Sequence, residues 1–191
     1  MRFGATLDRF KHLNRQTPAL LWSFAYFFCL LSGYYVLRPV RDAMGASSEV
    51  EAVFPSAMIA FFAAHGIPLK DIVLQVLATC TFVFILIAQP LYGALVSKFP
   101  RRVFLPVLFG FFIACLFVFY ALFHSNVTGR GMAFFVWVTV FNVFSVSVFW
   151  SFMADVFNSH EARRYYGYIG AAGTVGAFTG PILTRTLAVE V

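Results

Sequence analysis

The chain has 191 residues; 61% are hydrophobic, only 12% are charged, 26 are phenylalanine, and the formal net charge is +6. A soluble domain carries roughly 45–50% apolar and about 25% charged residues, so this chain lacks the polar surface that water demands. The positive balance does not point to nucleic acid, because the basic residues fall in the gaps between apolar runs, as in a membrane protein.

Residues 1–18 read as a cytoplasmic basic tail, with Arg2, Arg9, Lys11 and Arg15. The apolar run that follows, Ala19–Val40, exceeds the h-region of about 7–15 residues in a cleaved signal peptide and reads as a retained transmembrane helix. It ends in Arg38-Pro39-Val40-Arg41-Asp42. Tyr34, Arg38 and Arg41 are spaced i, i+4, i+7 and so share a helix face. Charge inside a bilayer is costly and usually faces a cavity or a partner. Two cations beside a tyrosine suit an anionic substrate such as a nucleotide phosphate. The competing expectation places both arginines at the outer interface, paired with Asp42 or Asp71.

The next stretch, Ala52–Leu69, contains Pro55, His65, Gly66 and Pro68. Its clean apolar part is about 13 residues against the roughly 20 needed to cross, so an interfacial helix is expected and not a sixth span. Four further runs reach spanning length: Ile72–Val96, Val103–Phe123, Met132–Ala154 and Tyr165–Leu187. The expected fold is therefore an all-α polytopic membrane protein, with a bundle of about five transmembrane helices over residues 19–187. Cationic connectors favour the cytosol. With the N-terminus inside, Lys98, Arg101 and Arg102 fall inside, as do Arg163 and Arg164. The chain is expected in the inner (plasma) membrane as a multi-pass protein.

Cys29, Cys80 and Cys115 stand alone in apolar runs, without metal-ligand spacing. There is no nucleophile elbow and no phosphate-cradling loop, so neither catalysis nor a metal or cofactor is expected. In the fourth run Asn142 and Ser145 share one face, and Ser147, Ser151 and Asp155 share another. Asn142 suits a cavity lining or helix–helix glue; Gln89-Pro90 offers the same two choices. Trp22, Trp137 and Trp150 suit an aromatic belt, packing or a substrate path.

Three patterns occur in order. The first is the turn Gly93-Ala94-Leu95-Val96-Ser97-Lys98-Phe99-Pro100-Arg101-Arg102-Val103-Phe104-Leu105, in which Gly93 would let a neighbouring helix approach. The second is Ala154-Asp155-Val156-Phe157, then Glu161-Ala162-Arg163-Arg164. The third is Gly170, Gly173, Gly176, Gly180 and Pro181, small residues along one face followed by a helix-perturbing proline. Together they resemble the signatures of the major facilitator superfamily, with Ser97 where that family carries an acidic residue and Pro100 where it carries a second glycine. Gly176–Pro181 resembles the antiporter motif of its fifth helix. Gly33–Asp42 and the region Phe134–Gly180 are similar to the bacterial and plastid ATP:ADP antiporter (nucleotide translocase) family and its bacterial relatives.

The resemblance implies an incomplete six-helix half of a facilitator-type bundle. It also implies an Asp155–Arg102 pair that latches the inside gate; Asp155 is alternatively an interfacial helix-end carboxylate. The implied function is secondary transport of a small-molecule solute, with nucleotide exchange as the sharper expectation. The implied partners are the lipid bilayer and a missing C-terminal half or second chain. The rival class is a truncated, non-transporting remnant, or a membrane subunit that needs a partner chain.

Overall fold

The computed structural model describes residues 2–47, 49–98, 100–125 and 127–190, with side chains described except at 2–16, 101, 102 and 188–190. Among these residues the elements are helical, with no strand. They are α1 (Arg2–Gly45), α2 (Val50–Val53), α3 (Ser56–Ala64), a 3-10 turn (Leu69–Asp71), α4 (Val73–Lys98), α5 (Arg101–His124), α6 (Arg130–Val156) and α7 (Ser159–Glu190). Each apolar run anticipated as a span lies inside one long helix, Ile72 just ahead of α4 excepted.

Among the described residues four helical segments are long and apolar enough to cross a membrane: Thr17–Gly45, Val73–Lys98, Val103–His124 and Arg130–Val156. The protein is an all-α polytopic membrane protein. The fifth anticipated span is helical throughout as the middle of α7, but its Gly, Thr and Tyr residues keep it out of that group.

Two boundaries differ from expectation. α1 is helical from Arg2, through the basic residues ahead of the span that starts at Thr17, and it continues past Val40 to Gly45. Proline at 39 does not stop it, since one lost backbone hydrogen bond can be absorbed by neighbouring contacts. The 52–69 stretch breaks at Pro55 and at Gly66–Pro68, leaving nine-residue α3 as its longest helix. At a rise of about 1.5 Å per residue α3 is about 14 Å long, half of a hydrocarbon core of about 30 Å.

The chain forms two compact units. The first comprises Met1–Val36 and Ser145–Val191. In it Phe27 stacks on Phe149 at 4.4 Å, and Trp150 meets Tyr166 edge-on at 5.1 Å. α7 starts with a reciprocal cap: Asn158 Oδ1 accepts from the N–H groups of His160 and Glu161, while Glu161 Oε2 accepts from the Asn158 N–H. Such a capping box satisfies donors that the first turn leaves open.

The second unit is Leu37–Phe144. One core holds Val53, Phe54, Leu69, Val73, Leu77 and Phe135. A second joins α4, α5 and α6 through Phe112, Val140 and Phe144, with Tyr92 stacked on Phe144 at 4.8 Å. Trp137 lies in an aromatic nest, 5.2 Å from Phe119 and 5.8 Å from Phe141.

Candidate functional site

Ionisable side chains inside spanning helices are the first place to look for function, because their desolvation must be compensated. Within the second unit, Arg41 sits near the end of α1 with its side chain only 15% exposed. Its Nε and Nη2 both donate to Asp42 Oδ1, at 3.0 and 2.7 Å. Arg38 reaches the other carboxylate oxygen, Nε to Oδ2 at 3.5 Å. One carboxylate thus serves two guanidinium groups.

Arg41 also lies against α6. Its guanidinium carbon is 5.3 Å from the centre of the Phe135 ring, a cation–π arrangement. Its Nη1 donates to Thr139 Oγ1 at 3.4 Å, while the Thr139 hydroxyl donates to the Phe135 carbonyl at 2.9 Å. Phe135, Thr139 and Asn142 are spaced i, i+4, i+7 and share one face of α6, and Asn142 is half-buried there. Gly45 permits the approach, because a Cβ there would come within 3.1 Å of the Phe135 ring.

The structure therefore brings Arg38 and Arg41 together on Asp42 and places Arg41 on the Asn142 face of α6. The Asp42 pair is the one that the competing expectation, arginines at the outer interface, had named beside Asp71; Asp71 does not serve them in any described ion pair. Phe135 and Thr139 were missed. The spacing of Thr139 to Asn142 carried a weak signal, but Phe135 had none in a chain of 26 phenylalanines. Tyr34 is buried edge-on to Tyr35 at 5.1 Å in the other compact unit.

The glycine stripe of α7 meets α1 within the first unit. A Cβ on Gly173 would lie 2.5 Å from the Phe27 ring, on Gly176 2.8 Å from the Phe28 carbonyl oxygen, and on Gly180 2.5 Å from Tyr35 Cβ. Two polar contacts fasten the seam. Ser32 Oγ is 3.0 Å from Thr179 Oγ1, and Thr184 Oγ1 donates to the Val36 carbonyl at 3.2 Å and to Gly180's at 3.1 Å. α7 is helical through Pro181. Gly170 stands apart, with no described atom of another helix within 4 Å of its Cβ position.

A Cβ on Gly93 would meet no described atom of its own unit within 4 Å. Lys98, Asp155, Arg163 and Arg164 are exposed at helix ends, and the Arg164 guanidinium lies 5.7 Å from the Tyr165 ring. The side chains of Arg101 and Arg102 lie outside the described residues, and with them the Asp155–Arg102 pair. No group of three or more His, Cys, Asp or Glu among the described residues could hold a metal ion.

These features define the class: a polytopic helical membrane protein carrying a shared ion pair in one unit and a glycine-lined helix seam in the other. In comparisons with known proteins, no family model, no curated protein and no solved structure matches the chain. The likeness to the facilitator superfamily therefore rests on its motifs alone.

Proposed function

We propose that this chain is a secondary transporter of the facilitator type, or one half of it, and that it exchanges an anionic solute across the inner membrane. Arg41 carries the proposal. α6 has 27 residues, about 40 Å at 1.5 Å per residue, and Thr139 lies about 14 Å from its first residue. With α6 centred on a hydrocarbon core of about 30 Å, Thr139 sits roughly 9 Å inside it. A guanidinium held at that depth is a functional feature by default.

The cluster can do what anion transport asks. Arg38 and Arg41 present planar guanidinium forks, the geometry that matches a phosphate or carboxylate. An incoming phosphate or carboxylate would compete with Asp42 for those donors, and the return of Asp42 would release it. A nucleotide is the sharper candidate, through the motif likeness in helix one.

In the same reading α7 is the fifth crossing, its small residues accepting α1 at close range, as membrane helices do. The turn at Lys98 and the start of α7 then face the cytosol.

The test is solute exchange by the purified chain in proteoliposomes, alone and with any co-encoded helical partner. ATP, ADP, inorganic phosphate and dicarboxylates would be offered as counter-substrates. Trans-stimulated uptake of one anion class, abolished by Arg41→Ala, is the expected result. Uptake unaffected by Arg41→Ala and Arg38→Ala would end the anion-site reading. No uptake of any kind, even with the partner, would favour the non-transporting class.

A further inference from the structure

We propose that α3 is a lipid-docking element, resting on the membrane–water interface at the end of the bundle where α1 leaves the membrane and α4 re-enters it. The inference does not rest on the transport proposal.

The first observation is composition. Residues 52–69 carry no Asp, Glu, Lys or Arg, while Glu49 and Glu51 precede them and Lys70 and Asp71 follow. α3 itself, Ser-Ala-Met-Ile-Ala-Phe-Phe-Ala-Ala, is apolar on every side. A helix that is hydrophobic all round needs apolar surroundings all round.

The second observation is that, among the described residues of its own unit, protein packs on one side of it. Met58, Ile59 and Phe62 pack on the core formed by Val53, Phe54, Leu69, Val73, Leu77 and Phe135. The opposite side presents Ala57, Ala60, Phe61 and Ala64, spaced i, i+3, i+4, i+7, all exposed, with Phe61 58% exposed. Water is a poor neighbour for that face, and the helix is too short to cross.

The third observation is that its placement is fixed from within. The Gly129 N–H donates to the Glu51 carbonyl at 3.4 Å. Gly129 (φ 81°) lies so close to Pro55 that a Cβ would be 3.0 Å from the proline nitrogen, and Gly131 is as close to Val53 Cα. Val53 and Phe54 are fully buried. The inner face is thus clamped onto the start of α6, and the outer face must point away from the unit. The segment that holds α3 joins two helices long and apolar enough to span, Thr17–Gly45 and Val73–Lys98. α3 is thus tethered at the membrane end of both, and lipid is the occupant that fits its uncovered apolar face.

The experiment uses the full chain, with native cysteines replaced, in nanodiscs of phosphatidylethanolamine and phosphatidylglycerol. An environment-sensitive fluorophore is placed at Phe61→Cys and, in a second variant, at Ala57→Cys; both positions are exposed, so folding is spared. Phe117→Cys in mid-α5 and Val127→Cys in the α5–α6 connection are the deep and aqueous references. Quenchers are iodide and lipids spin-labelled near the glycerol backbone or near the acyl-chain end. Docking at the interface predicts the larger fluorescence loss from the shallow lipid label at both α3 positions, with little loss to iodide. Iodide quenching like that at Val127→Cys would overturn the proposal. So would shielding from all quenchers, which would mean a protein occupant, or a stronger effect of the deep label.

Discussion

Ser32 Oγ and Thr179 Oγ1 lie 3.0 Å apart, between Gly176 and Gly180, where a Cβ would press on the α1 backbone. Thr179 Oγ1 is also 3.1 Å from the Gly176 carbonyl, so the hydroxyls can form a chain in which Ser32 donates to Thr179 and Thr179 donates to Gly176. The glycines make this possible, and they should dominate its energetics. Overpacking typically costs about 1–3 kcal/mol. Gly180→Val should reach or exceed that range, because its neighbours are the Ser32 carbonyl oxygen and Tyr35 backbone and cannot yield. Thr179→Ala should cost about 0.6 kcal/mol, the average for a hydrogen bond between membrane helices. Unfolding of the variants in mixed micelles with increasing dodecyl sulfate would rank them. Equal effects would contradict backbone-limited packing.

The two arginines should behave differently. Arg38 is 46% exposed and its pair is 3.5 Å long, so Arg38→Ala should cost no more than about 1 kcal/mol. Arg41 loses two charge-assisted bonds to Asp42 and a ring contact, and Arg41→Ala should cost about 2 kcal/mol. Arg41→Lys should recover little, since one ammonium cannot copy the guanidinium fork. Asp42→Asn should destabilise more than Arg38→Ala, because it leaves two cations without their shared carboxylate. The same unfolding assay checks the order.

Trp137 and Ser145 each hold a buried polar atom without a hydrogen-bond partner among the described residues, Nε1 and Oγ respectively. Removing such a group while keeping shape is nearly neutral or stabilising. Ser145→Ala is therefore expected to leave stability unchanged or raise it. Trp137→Phe should cost far less than Trp137→Ala, which empties the aromatic nest at about 3–5 kcal/mol. Thermal denaturation in one detergent would separate the two.

The clamp between the 50–71 segment and α6 should fail on adding a side chain at either glycine. Gly129→Val combines a left-handed backbone with contact on Pro55, and Gly131→Val presses on Val53 Cα. Each should lower amide protection at Phe54, whose N–H donates to the Val50 carbonyl at 2.8 Å, while leaving α7 amides protected. Hydrogen exchange read by mass spectrometry would show it. Uniform loss of protection would mean global unfolding and no local clamp.

Much of this architecture is legible in the sequence, for a physical reason. Lipid forces about 20 charge-free residues into one helix, so Ile72–Val96 and Val103–Phe123 could be placed to within a few residues of α4 and α5. Pro55, Gly66 and Pro68 announced the breaks around α3. Arg38, Arg41 and Asp42 are close in sequence, so their pairing could be foreseen as one of two outcomes. The ring beneath Arg41 could not, because Phe135 comes from a helix nearly a hundred residues later and its type is abundant. The α7 glycines signalled a close neighbour but not which helix it would be. Gly93 shows the reverse: its place in a motif says nothing of its neighbours, and no described atom of its own unit lies within 4 Å of its Cβ position.

Transport by any route requires the long helices, α7 included, to cross the bilayer in alternation. Single cysteines at Ser47, Lys98, Val127, His160 and Leu187, in a background freed of Cys29, Cys80 and Cys115, can be tested in intact cells with a membrane-impermeant maleimide. The account predicts labelling at 47, 127 and 187, with 98 and 160 reached only after the membrane is opened. Labelling of 98 in intact cells, or of 160 and 187 from the same side, would contradict it.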